Sequence, residues 1–202
     1  MKRLSALLPV LLLAACASMS SMQGEQVVNE RLAVDVPQAW NKVTDRFVQD
    51  PYETWTQEGL PLDHLRFWGG VRPGQPLMIK PAMFSRQPDA KEPRVPTFRQ
   101  GLTPEKLVNL FEELYATAGT VTITKVDPAV FAGQKGVRFE FTLARRRDDL
   151  GMQGVGWVAV RPDPVYGEEL YAATFVAPRM SFFPRLLPMA EEVVRTARVK
   201  GI

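Results

Sequence analysis

Cysteine and histidine are nearly missing from this chain: each occurs once in 202 residues. A single cysteine excludes a disulfide within one chain, and one Cys with one His cannot assemble a zinc site of several such ligands. Phosphate loops, G-x-S-x-G nucleophile elbows and D-x-D-x-D-G calcium loops are also missing from the sequence. From residue 27 onward the only serines are Ser85 and Ser181, and a Ser-His-Asp arrangement would have to use His64, whose neighbour is Asp63. No catalytic set emerges, so the expectation is a protein that is not an enzyme and carries no cofactor or metal. Strong charge of one sign is lacking as well. Lys and Arg number 25 against 22 Asp and Glu, a formal balance of +3. That is too weak a field to suggest nucleic acid as a partner.

Long apolar runs are scarce, and the one that stands out lies at the start, in MKRLSALLPVLLLAAC. Lys2 and Arg3 precede an apolar stretch from Leu4 to Leu13, interrupted only by Ser5 and Pro9. The stretch is too short to span a bilayer as a stable helix, and small residues close it, which is the pattern of an export signal. Its ending, Leu13-Ala14-Ala15-Cys16, resembles the lipobox of bacterial lipoproteins. The resemblance implies cleavage before Cys16 and lipidation of its thiol by fatty acyl groups such as palmitate. Several acyl chains anchor stably where one does not. Ala17 stands where an aspartate would favour retention at the inner membrane, so the same resemblance implies the outer membrane, facing the periplasm. Loss of residues 1–15 removes Lys2 and Arg3 and lowers the formal balance to +1. Residues 16–26, polar and without periodicity, read as a flexible tether.

Residues 27–202 read as one domain, since no repeat or second linker divides them. Leu32, Val34 and Val36 alternate and predict a first strand, with Pro37 opening a short helical stretch around Ala39, Trp40 and Val43. Residues 53–58 and 64–71 predict two strands joined at Gly59–Asp63. Six prolines between residues 72 and 101 predict mostly loop, with a short strand around Leu77–Ile79. Thr103 and Pro104 open the clearest helix, with Leu107, Leu110, Phe111, Leu114 and Tyr115 on one face and Gly119 at its end. Four strands follow. Residues 154–161 and 169–177 are apolar on both faces and need cover on both. A helical stripe from Phe183 to Ala197 supplies part of that cover. The fold class expected is α+β, a mostly antiparallel sheet with helices on both faces.

This order of elements, with Val95-Pro-Thr-Phe98 running into Leu102-Thr-Pro-Glu105, resembles the Mog1/PsbP-like α/β/α sandwich over roughly residues 30–199. Members of that group serve as photosystem accessory subunits, as a regulator of a small GTPase and as envelope proteins. The resemblance implies an accessory or binding module, and it brings no functional residues with it. An unidentified envelope protein or lipid would be the partner. The alternative is a carrier of a lipid or other apolar ligand between the sheet and the helix at Leu107–Tyr115.

Two surfaces remain as candidates. Arg145-Arg146-Arg147, followed by Asp148 and Asp149, falls between two strand patterns and reads as a hairpin tip. Neutralisation in water is the simpler reading, and contact with lipid phosphates or an acidic partner is the functional one. The proline-rich segment carries Lys80, Arg86, Lys91, Arg94 and Arg99. His64 reads as a residue at the start of a strand, beside Arg66 and Trp68, facing solvent or a polar groove.

Overall fold

Alternation of apolar side chains builds most of this molecule. The computed structural model describes residues 18–44, 50–79 and 95–200. The strands are β1 (Ser18–Val28), β2 (Leu32–Thr44), β3 (Glu53–Thr56), β4 (His64–Val71), β5 (Gly119–Phe131), β6 (Gln134–Arg145), β7 (Gly151–Asp163), β8 (Gly167–Pro178) and β9 (Arg198–Val199). The helices are α1 (Pro104–Ala116) and α2 (Phe182–Arg195). The sheet order is β1-β2-β3-β4-β8-β7-β6-β5, with β9 on β2. Every neighbouring pair is antiparallel.

Local chemistry accounts for the hairpins. Ala132 and Gly133 join β5 to β6 with φ of 50° and 75°, the left-handed pair that a two-residue turn needs to match strand twist. Along β6, Val137, Phe139, Phe141 and Leu143 point inward and are buried. Their partners on β7 explain its glycines. Phe139 lies opposite Gly156 and Phe141 opposite Gly154. A Cβ on either glycine would meet a phenyl ring at 2.2 Å. Gly154 and Gly156 therefore make room for rings from the next strand.

Apolar residues on both faces of β7 and β8 divide between two cores. Tyr171, Ala173, Phe175, Val155 and Trp157 join one cluster with Phe183, Leu186, Ala190, Val193 and Val194 of α2. Leu170, Ala172, Val176 and Val158 join the other with Leu107, Phe111, Leu114 and Tyr115 of α1. The helical layers expected over the sheet are not built. Among the described residues helix is confined to two segments of 13 and 14 residues, each packed against one cluster. Most of the core is made by the sheet itself.

Four other expectations need correction. Residues 18–26, read as a tether, belong to β1 and pair with β2 from Ser18↔Thr44 onward. Pairing uses backbone N–H and C=O groups, so an exposed polar edge strand needs no apolar alternation. The helix around Trp40 is a continuation of β2. A bulge between the pairs Met22↔Trp40 and Gly24↔Val36 accommodates Pro37, which has no N–H to give to a ladder. Gly119 opens β5, and α1 ends earlier, at Ala116. The short strand expected at Leu77–Ile79 reduces to one bridge, Pro76↔Thr97. Cys16 and the signal before it lie outside the described residues, as do Lys80, Arg86, Lys91 and Arg94.

Candidate functional site

Period-two alternation sets the floor of the site. On β4, Leu65 and Phe67 enter the α2-side core, so His64 and Arg66 share the opposite face. That face is roofed by the last turn of α1, which brings Leu114 and Tyr115 over it. Tyr52, Met78, Leu143, Met152 and Val176 complete apolar walls, and Arg145 closes one end. The pocket is partly open and holds about 200 Å³, roughly six or seven water molecules' worth.

The polar groups are few and mostly donors. Tyr115 Oη is 2.6 Å from Thr174 Oγ1 on β8 and 3.5 Å from His64 Nε2. The Tyr115 and His64 rings stack with centroids 6.0 Å apart. Arg66 lays its guanidinium 4.6 Å from the centre of the Tyr52 ring. Its Nε is buried and without a hydrogen-bond partner, and among the described residues no carboxylate pairs with it. Arg145 is held differently. Its Nε and Nη2 donate to Asp148 at 2.8 and 2.6 Å, and its Nη1 donates to the Pro61 carbonyl at 3.0 Å.

Burial and neighbouring charge set the protonation states. Burial first, then Arg66 and Arg145, hold His64 well below the usual imidazole range, so it is neutral near pH 7. Burial pushes the Tyr115 phenol up, partly offset by Arg66 and Thr174. Burial raises Tyr52 to about 12, against the opposing effect of Arg66 and with help from Asp50. A depressed histidine has a definite consequence for stability. Below the ordinary imidazole pKa of about 6.5 the unfolded chain takes up a proton that the folded chain refuses. His64 therefore costs nothing above that pH and destabilises the fold as pH falls below it. Melting temperatures of the wild type and His64→Gln, compared from about pH 7.5 down to pH 5, should diverge, the wild type losing more. Parallel curves would show that His64 is not held neutral.

The sequence-derived candidates fare unevenly. Arg145, Arg146 and Arg147 do fall at the β6–β7 connection, but in different surroundings. Arg145 turns into the pocket wall, whereas Arg146 and Arg147 are exposed. His64 does begin a strand and is half-buried in the wall of a partly open pocket, the groove of the two surroundings expected for it. Arg66, Tyr115 and Tyr52 were not singled out as site residues. The two-residue spacing of His64 and Arg66 was the available signal. Two wider hollows exist, one beside Arg31 and Gly70 of about 420 Å³ and one beside Lys106 and Glu113 of about 540 Å³. Of the two cations lining the first, Arg31 is paired with Glu169 and Arg72 stacks 3.9 Å from the centre of the Tyr166 ring.

The sheet order and two helices define a PsbP-like fold, shared with a solved protein. The solution structure of cyanobacterial PsbP (CyanoP) from Synechocystis sp. PCC 6803 superposes with a TM-score of 0.50 at 9% identity, covering 98% of this chain and 99% of that one. The crystal structure of LpqN of Mycobacterium tuberculosis, described as involved in cell envelope biogenesis, gives a TM-score of 0.40 at 8% identity, covering 92% and 86%. No protein-family model and no curated protein matches the chain.

Proposed function

We propose that this chain is a lipid-anchored, non-catalytic binding or accessory module of the bacterial cell envelope, attached at the outer membrane through Cys16 and facing the periplasm. The binding part rests on the pocket under α1, where cationic and phenolic donors meet in a partly open, largely apolar-walled space. The anchor rests on the run from Lys2 to Cys16. Because β1 begins at Ser18, lipidation of Cys16 would hold the domain close to the bilayer with almost no linker. The pocket size bears on the choice of ligand. Sites for drug-sized molecules span about 300–1,000 Å³, and this one is about 200 Å³. The α1 face that an apolar carrier would open is filled by Leu107, Leu110, Phe111 and Leu114. A group of headgroup size suits the space better than an acyl chain.

The test joins anchoring to partner capture. Wild type is expected in the outer-membrane fraction after a high-salt wash, and Cys16→Ala is expected to be released, since no other thiol exists to acylate. A Cys16→Ala protein still firmly bound would move the anchor elsewhere. Affinity capture from solubilised envelope should recover a specific partner, and recovery of none would count against an accessory role.

A further inference from the structure

The pocket under α1 is electrostatically incomplete. Donors converge from three elements: the Arg66 guanidinium and His64 ring from β4, the Tyr115 hydroxyl from α1 and the Arg145 guanidinium from β6. Arg145 has its counter-charge in Asp148. Arg66 has none among the described residues, and its buried Nε has no acceptor. A buried donor without a partner forfeits the hydrogen bond it would have made to water, more so on a charged group. Stacking on Tyr52 covers the guanidinium face but accepts none of its N–H bonds. The apolar side chains around it, from Leu114, Leu143, Met152 and Val176, offer no oxygen acceptor in place of water. An anion is the one kind of group that answers all of these at once.

We infer that this pocket is a binding site for a phosphate group, carried by a small molecule or by a lipid headgroup. A carboxylate has about four acceptor sites on two oxygens, and a fork with one guanidinium engages both of those oxygens. A phosphate keeps further acceptor oxygens after a bidentate pair with Arg66, and these suit the Tyr115 hydroxyl and the His64 Nε2–H. Tyr115 Oη and His64 Nε2, 3.5 Å apart, are close enough to serve one such group. The apolar walls then take the first carbons beyond the phosphate. The inference rests on reading the domain as a binding module and names what that module holds.

The histidine supplies a direct readout. It is the only one in the chain, so 13C-histidine labelling of the full-length protein in a non-ionic, phosphate-free detergent yields one imidazole signal. The groups facing it are Arg66 on its own strand, Tyr115 on α1 and Arg145 on β6, with Tyr52 and its partner Asp50 behind Arg66. An anion among them stabilises the imidazolium, so the signal should move toward the protonated position as phosphate saturates the site. Potassium chloride at equal ionic strength should leave it in place. Inorganic phosphate and glycerol 3-phosphate probe the small-molecule source, and phosphatidylglycerol vesicles probe the headgroup source. A saturable response to either class supports the site and says which source it takes. No saturable response to any of them overturns it.

Arg66→Gln should weaken binding by roughly tenfold or more, the range for a hydrogen bond to a charged group, whereas Arg147→Ser should leave it unchanged. If Arg66→Gln does not fold, Arg66→Lys keeps the charge without the fork and should still bind more weakly than wild type. Variants at Arg66 that bind as tightly as wild type overturn the assignment. A silent pocket in a chain that still captures an envelope partner would remove the phosphate site and leave the module standing. A responsive pocket with no captured partner would keep the phosphate site and count against the accessory role.

Discussion

Replacing Trp157 by alanine is expected to cost about 3–5 kcal/mol, the range for removing a large buried aromatic. Trp157 lies on β7, an interior strand, and is 7% exposed. Its cross-strand neighbours are Arg138 on β6 and Ala173 on β8, neither of which can expand to fill the space. The ring is also covered from outside. Arg138 holds its guanidinium 5.7 Å from the ring centre and is tied down by Glu140 and, across to α2, by Glu191. Loss of the indole therefore opens a cavity and releases a side chain that joins the sheet to the helix. In a domain of this size the melting temperature should fall by roughly 10 °C or more, measured by calorimetry on wild type and variant. Trp157→Phe should recover more than half of the loss. An unchanged melting temperature for Trp157→Ala would mean that this strand contributes little to the cooperative core.

Replacing Arg31 by methionine is expected to cost about 3 kcal/mol, at the low end for breaking a buried ion pair. Glu169 is wholly buried on β8, and Arg31 reaches it from the β1–β2 turn at 2.5 Å, with its own side chain 19% exposed. The remaining partner of the carboxylate is the Tyr171 hydroxyl, which donates at 2.7 Å. The cost comes mainly from what stays behind, since a charge in the interior without its counter-charge is far less tolerable than an uncharged group. Glu169→Gln added to Arg31→Met should therefore restore much of the stability, whereas two independent sites would add their losses. Chemical denaturation of the two single variants and the double variant measures the coupling. Simple additivity would show that the two side chains do not depend on each other. The pair also pins the tip of the β1–β2 hairpin to the centre of the sheet, where β9 adds a second fastening through Lys200 N to the Arg31 carbonyl at 2.8 Å.

Side-chain pattern explains which parts of the fold were legible. Val137, Phe139, Phe141 and Leu143 alternate, and β6 lies where the alternation puts it. The stripe from Phe183 to Val194 is helical and buried on one face. Segments apolar on both faces did become interior strands with a core on each side. Pattern fails where pairing alone makes the strand. Ser18–Gln26 has almost nothing apolar to reveal it, and Pro37 reads as a helix start although a bulge carries it within β2. Why β7 carries glycines at 154 and 156 is not visible in its own segment, because the rings that fill their space come from Phe139 and Phe141 on another strand.

The site divides along the same line. By itself the sequence determined that chemistry here must be done with one histidine, one cysteine and no nucleophile motif, because composition bounds what any fold can assemble. It also placed His64 and Arg66 on one face of a strand, a matter of period two alone. Only the tertiary structure decided that Tyr115, 51 residues away, roofs that face, that Arg145 leaves its neighbours to close the pocket, and that Arg66 is left without a counter-charge among the described residues. The physical reason is that charge compensation is a property of distance in space. Two side chains cancel or fail to cancel according to the strands that carry them, and the order of residues along the chain does not record that distance.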